Sequence, residues 1–418
     1  MHYLYVTVCR EIKLHSGKTK INFVFPLICI NFVAEMKKRL FSVITILTLL
    51  LVVACHQAKQ QDTSKASPMG DASEKEEIAP TKSLGPKGAF VKITPVKDQG
   101  ESDLCWIYAM LATIESERLM LGDSVNLSAD FLARHFMEEQ AERCYLMTNA
   151  KKSIEDGRGA NNITTRGMAS MTLRLLQAYG ITHWDAYHLD VNFDVVARKV
   201  KKTVEANRGK GLQEMSKSLI DMLDESTRPL PRFVFMLGVE YTTQEFALSV
   251  CLPDEYVALT SFTHHPYGKP FRLEVADNYY QDEFLNIPLD SLTAHIDRAL
   301  TAGHPVCWEG DISEPGFSWP KGFAETKDDG QKENGNQESV ADIRQHGFEQ
   351  GETTDDHCME LIGITNIKGK KYYLAKNSWG EDNAFGGFMY LSEDYLRLKT
   401  VAVWMTHDAY ELKAEKEL

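Results

Sequence analysis

No stretch of this 418-residue chain gathers lysine and arginine into a basic stripe, and its formal net charge is -13. That absence excludes nucleic acid as a partner, because phosphate recognition needs such a stripe. Long apolar runs are also missing: Leu40 to Val53 falls short of a stable membrane span. Cysteine is sparse and unpatterned. Of the eight, Cys9, Cys29 and Cys55 fall in the N-terminal presequence, while Cys105, Cys144, Cys251, Cys307 and Cys358 show neither zinc-ligand spacing nor a disulfide framework. An odd number in an exported chain implies at least one free thiol. There is no internal repeat, and no carboxylate pair is set convincingly for acid–base work. Neither metal nor cofactor is expected.

What is present is an ordinary globular composition, 43% hydrophobic and 25% charged. Ahead of it stands an address. From Met36 the chain reads MKKRLFSVITILTLLLVVAC, a cationic start, an apolar run and small residues before a cysteine. Residues 36–54 read as a secretory signal, and Val52-Val53-Ala54-Cys55 resembles the bacterial lipobox, which implies lipidation of Cys55 and a membrane-anchored lipoprotein facing the periplasm or cell surface. The missing aspartate after Cys55 favours the outer membrane. Residues 1–35 precede a complete signal and read as an overextended start. Residues 55–88 are polar and rich in turn formers, a tether. The globular domain is expected over 89–418.

Helical periodicity is found over Cys105–Leu121, Ser128–Met137, Thr164–Tyr179, Val195–Val204 and Leu289–Ala302. Strand-like runs follow: Arg232–Gly238, Val257–Phe262, Phe271–Val275, Met359–Thr365, Lys371–Lys376 and Phe388–Leu391. Helices first and strands later predict an α+β class, a helical lobe facing an antiparallel sheet lobe. Lys321–Asp356 reads as a long surface loop.

Two motifs carry chemistry. In QGESDLCWIYA, Cys105 opens a helical pattern six residues after Gln99. A thiol at a helix N-terminus has its thiolate favoured by the helix dipole, and a neighbouring imidazolium favours it further. In DDHCMELIGITNIKGKKYYLAKNSWG, a turn near Asn366–Lys370 folds two strands into a hairpin that sets His357 opposite Asn377 or Ser378. His357 then serves as partner to the thiolate and proton donor to a leaving amine, with Asn377 fixing the imidazole tautomer. The Cys105 backbone N–H and the Gln99 side-chain amide are matched to an oxyanion, each such donor being worth about 3 kcal/mol in a transition state. By strand alternation Cys358 should point away from this site. His264-His265 read as loop or surface residues rather than metal ligands, since neighbours on an extended run face opposite sides. Asp328-Asp329 and Asp355-Asp356 read as solvated loop charges.

Gln99, Cys105-Trp106, Asp356-His357 and Asn377-Ser378-Trp379-Gly380 together resemble the papain-like cysteine peptidases. The intervening stretches RGMASMTLRLLQAYGI, YVALTSFTHHPYGKPFRLEV, NIPLDSLTAHIDRALTAGHPVCWEGDISEPGFS and TTDDHCMELIGI resemble the bleomycin hydrolase and aminopeptidase C group. The resemblance implies the two-lobed papain-like fold and a catalytic set of Cys105, His357 and Asn377, with Gln99 in the oxyanion hole. It also implies that Trp379 shields the Asn377–His357 bond from water and that Arg166-Gly167 lie in a substrate-binding strip. Aminopeptidase action on short peptides and a hexamer are further implications, although a lipid on every N-terminus makes a closed ring harder to arrange. Leu104 and Asp103 replace the small residues that many relatives carry before the nucleophile. The short charged tail THDAYELKAEKEL leaves an open-cleft endopeptidase as an alternative, and a non-catalytic surface binding protein on a peptidase scaffold as another.

Overall fold

A helix buried on every side organises the molecule. Helix α1, Cys105–Leu121, buries every residue from Cys105 to Glu117, as a helix sandwiched between layers must. Gly122 ends it in the left-handed region, its N–H reaching the carbonyls of Arg118 and Leu119. The computed structural model describes residues 6–7, 24–25, 91–149, 163–236, 238–326 and 339–413. It divides into two units, Met1–Ala79 and Pro80–Leu418. In the first, strands β1, Val6–Thr7, and β2, Val24–Phe25, pair antiparallel. The signal segment, Cys55 and the tether lie outside the described residues. Among the described residues no helix is long and apolar enough to cross a membrane.

In the second unit, α1 packs with α2 (Ala129–Asn149), α3 (Ala169–Tyr179) and α6 (Thr243–Val250), while α4 (Phe193–Ala206) and α5 (Leu212–Ser226) pack on each other and on α2. Their shared core contains Trp106, Phe131, Phe136, Leu175 and Val200. A second core lies on the sheet, where α7 (Leu289–Ala302) supplies Leu292 and Ile296 against Trp308, Met359 and Tyr373. The helical expectations for α1 and α7 match their observed bounds. Helix α2 runs on to Asn149, because Ala141, Cys144 and Tyr145 keep burying at helical spacing. Helix α3 begins only at Ala169. Thr164 ahead of it is held by the Gln140 side chain, which donates to its carbonyl at 2.8 Å and accepts from its N–H at 3.0 Å.

Ten strands form one sheet. After the separate hairpin of β3 (Phe233–Met236) and β4 (Val239–Thr242) come β5 (Tyr256–Thr260), β6 (Lys269–Arg272), β7 (Glu283–Asn286), β8 (Val306–Gly310), β9 (Phe317–Ser318) and β10 (Phe323–Ala324). Helix α8 (Val340–Gln350) precedes β11 (His357–Ile367), β12 (Lys370–Lys376), β13 (Phe388–Ser392), α9 (Glu393–Lys399), β14 (Thr400–Thr406) and α10 (His407–Tyr410). The spatial order is β6-β7-β5-β14-β8-β11-β12-β13-β10-β9. Pairing around the site is antiparallel as expected, but β5 with β7 and β10 with β13 run parallel. Strand β6 folds back on β7, which brings β7 alongside β5 in the same direction.

The β11–β12 hairpin turns at Lys368 and Gly369, both at positive φ, 53° and 84°, the geometry of a two-residue turn matched to strand twist. The turn falls within the expected Asn366–Lys370, but a bulge between Leu361 and Gly363 shifts the register. Regular pairing stops at Glu360 with Lys376. Beyond it the chain leaves the ladder, and Asn377 donates its N–H to Gly387 O at 3.0 Å.

Candidate active site

Cys105 is the first residue of α1 and is buried. The loop before it is pinned at several points. Gln99 N–H donates to Ser378 O at 2.8 Å, Ser378 Oγ donates to Gln99 Oε1 at 2.7 Å, and Gln99 Nε2 donates to Ser102 O at 2.8 Å. Ser102 Oγ in turn accepts from Phe193 N, and Thr165 Oγ1 from Asp103 N. One hydrogen of the Gln99 amide is thereby directed at Ser102, leaving the second for another acceptor.

His357 opens β11. Its Nε2 lies 2.7 Å from Asn377 Oδ1, and that same oxygen accepts the Ser378 N–H at 2.8 Å. A backbone N–H can only donate, so the atom is identified as the amide oxygen and Nε2 must carry the proton. Nδ1 is then the nitrogen available to Cys105, with which His357 shares a hydrogen bond. The Trp379 ring lies 4.6 Å from the imidazole and meets Trp319 edge-on at 5.3 Å, covering the His357–Asn377 pair with apolar surface. Asn377 Nδ2 is buried without a partner among the described residues.

The Cys105 thiol is held well below its ordinary range. The largest cause is a hydrogen bond from the Cys358 thiol, and the charge and hydrogen bond of His357 add to it against the opposing effect of burial. Burial pushes Cys358 itself upward, so Cys358 is the protonated donor of the pair. This corrects the expectation that Cys358 faces away: it reaches Cys105 because α1 packs directly across β11. A Cys358→Ala variant is expected to alkylate at Cys105 severalfold more slowly under acidic conditions. The thiolate exists above the depressed pKa, so losing the donor moves the acid limb to higher pH. A pH–rate profile with an alkylating reagent checks this, and an unmoved limb would leave Cys358 a packing residue.

Arg166, Gly167, Asp103, Asp277, Asp355 and Asp356 line the same cavity as Cys105 and His357. Arg166 is already engaged, its Nε donating to Asp277 Oδ2 at 2.9 Å. Gly167 has a packing reason: a Cβ there would come within 2.8 Å of the Trp106 ring. Asp355, read from sequence as a solvated charge, instead faces the cleft, accepting the Asp277 N–H at 3.3 Å. Burial and the neighbouring Asp355 push Asp277 up to about 6. Sequence reasoning missed Asp277 altogether, since no local pattern links it to Arg166 across 111 positions. Asp328-Asp329 lie outside the described residues.

A buried thiol heading a helix of one lobe, opposite a histidine–asparagine pair on the sheet lobe, defines the papain-like class. The chain matches the Peptidase C1-like family model over residues 238–412, the part that holds His357 and Asn377 but not Cys105. It is 27% identical over 169 residues to Aminopeptidase G of Lactobacillus delbrueckii subsp. lactis, covering 40% of this chain and only 38% of that relative. Its fold is similar to the crystal structure of PepW from Lactobacillus rhamnosis HN001, with a TM-score of 0.59, 17% identity and coverage of 77% and 82% of the two chains. The fold is therefore papain-like, and the segment 238–412 is similar to the Peptidase C1-like family.

Proposed function

We propose that the protein hydrolyses peptide bonds through a thioester on Cys105 and trims short peptides from a free N-terminus. The observation that carries the reading is the hydrogen-bonded series Cys105, His357, Asn377, with the thiol at the start of α1. The thiolate adds to the scissile carbonyl, and the oxyanion is received by the Cys105 N–H and the Gln99 amide. His357 passes the Nδ1 proton to the leaving amine as the C–N bond breaks. It then takes a proton from water, whose oxygen attacks the thioester and releases the acid and the thiolate.

The preference for a free amine is supported by the carboxylates around the nucleophile. Asp103, Asp277, Asp355 and Asp356 share the cavity with one arginine, and an α-ammonium is the part of a peptide such a cleft attracts. The name of the similar Lactobacillus protein, Aminopeptidase G, agrees. Assaying a free-amine aminoacyl fluorophore beside its N-acetylated counterpart, with Cys105→Ala as control, tests this. Cleavage of the free amine alone is expected, whereas equal cleavage of both means an open endopeptidase cleft, and cleavage of neither favours a binding protein on this scaffold. Asp277→Asn is expected to raise KM for the free-amine substrate severalfold and leave an N-blocked ligand unaffected. With Asp277 near 6, the free-amine KM should also rise as pH falls through that value, because the carboxylate takes up a proton and loses its charge.

The proposal includes export and anchoring through a lipid on Cys55, which metabolic fatty-acid labelling lost in Cys55→Ala would test. Oligomeric state is left to measurement by light scattering, with a hexamer as the outcome that the resemblance suggests.

A further inference from the structure

The His264-His265 pair does not sit on an extended strand. Both residues lie in the irregular turn between β5 and β6, so the alternation that would send their side chains to opposite faces does not operate. Instead both rings converge on one carboxylate. His265 Nε2 is 2.7 Å from Glu274 Oε1 and His264 Nε2 is 3.3 Å from Glu274 Oε2, and a donor atom of each of the three residues lies within 4.8 Å of the others. All three side chains are open to solvent, at 28%, 33% and 52% exposure.

The turn that presents them is built rather than loose. The side chain of Asn286, fully buried on β7, accepts the Phe262 N–H at 2.9 Å and donates to Phe262 O and His265 O at 2.9 and 2.8 Å. Gln345 on α8, also buried, accepts the Thr263 N–H through Oε1 at 2.7 Å. That fixes its amide orientation, with Oε1 3.2 Å and Nε2 2.9 Å from His264 Nδ1. Gln345 therefore serves either tautomer of His264. When Nδ1 carries the proton it donates to Oε1, which leaves the Nε2 lone pair directed at Glu274. A carbonyl accepting from the non-ligating nitrogen is the usual support of a metal-bound histidine. The His265 ring is held by stacking on Phe271 at 4.1 Å.

We propose that His264, His265 and Glu274 form a binding site for one divalent transition-metal ion, zinc by preference. Two imidazoles and one carboxylate are a borderline nitrogen and oxygen donor set, which suits zinc over calcium or magnesium, and three protein ligands leave a fourth position for water. The solvent exposure of all three donors supplies the entry path. The ion would cross-link the β5–β6 turn to the segment that continues from Glu274 to Asp277 in the cleft, so occupancy bears on the cleft wall without touching the reacting atoms. Distinct from the thiol site, this is a second place where the chain holds a ligand.

The test has to exclude metal capture by the nucleophile itself. The full chain carrying Cys105→Ala, stripped with chelator, is titrated with zinc by calorimetry and separately with cobalt(II) in the spectrophotometer. One equivalent is expected to bind, at least tenfold more weakly in His265→Ala and in Glu274→Gln, and the cobalt form should show visible d–d absorption without a thiolate charge-transfer band. The conservative glutamine variant keeps the exposed turn folded while removing the charged ligand. Absence of saturable binding, binding unchanged in both variants, or a thiolate band would each overturn the proposal.

Discussion

Cys105→Ala is expected to reduce kcat/KM for peptide hydrolysis by about 10⁴-fold or more while leaving substrate affinity within a few-fold. The loss is that large because nothing else described in the cavity combines a depressed pKa with a hydrogen bond to a general acid. His357→Ala should cost nearly as much, and the double variant little more than either alone, because nucleophile and base act as a unit and their effects do not add. Asn377→Ala should cost less. It removes the acceptor that keeps the proton on Nε2 but leaves both reacting groups in place. Steady-state kinetics on the pure variants decide the matter: retention of more than a hundredth of the activity in Cys105→Ala would put the chemistry elsewhere in the molecule.

The parts legible in sequence are those whose signals are local. Helix α1 could be bounded because its apolar run ends at a glycine able to adopt positive φ. His357 and Asn377 could be brought together because a hairpin folds one stretch of chain onto itself, although the bulge at Leu361–Gly363 means the contact is made beyond the ladder rather than across it. Local signals fail where burial breaks the expected alphabet. Helix α8 falls inside a segment that reads as loop, because the residues it buries are Arg344 and Gln345 rather than aliphatics. Strand β8, VCWEG, is buried throughout despite Glu309; with both faces covered it has no polar alternation to reveal it. Asp277, Asp355 and Cys358 come to the cleft through packing between elements distant in sequence, and no pattern of residues near any one of them announces the others.

The other large effect concerns the back of the nucleophile helix. Glu115, wholly buried in α1, pairs with Lys97 at 2.6 Å, accepts the Leu127 N–H at 2.6 Å and receives the Thr94 hydroxyl at 2.5 Å. Thr94 Oγ1 also accepts from Lys376 at 3.0 Å, and Lys376 is paired with buried Glu360 at 3.3 Å. Lys97 rests over the Trp184 ring as well, and burial lowers its pKa against the pull of Glu115. Glu115→Ala is expected to destabilise the fold by about 3–5 kcal/mol, the cost of leaving one member of a buried pair without its counter-charge. The denaturation midpoint should fall with an unchanged slope. Glu115→Gln should lose less, since an amide still serves Leu127 and Thr94. Removing both charges in Lys97→Met with Glu115→Leu should recover much of the loss, because the penalty lies in the orphaned charge rather than in the missing attraction. A double variant no more stable than Glu115→Ala would mean instead that the hydrogen bonds to Thr94 and Leu127 supply the stability. Lys376 immediately precedes Asn377, so this buried network joins the helix that carries the thiol to the strand that delivers the histidine's partner. Its integrity and the alignment of the site are one property of the fold.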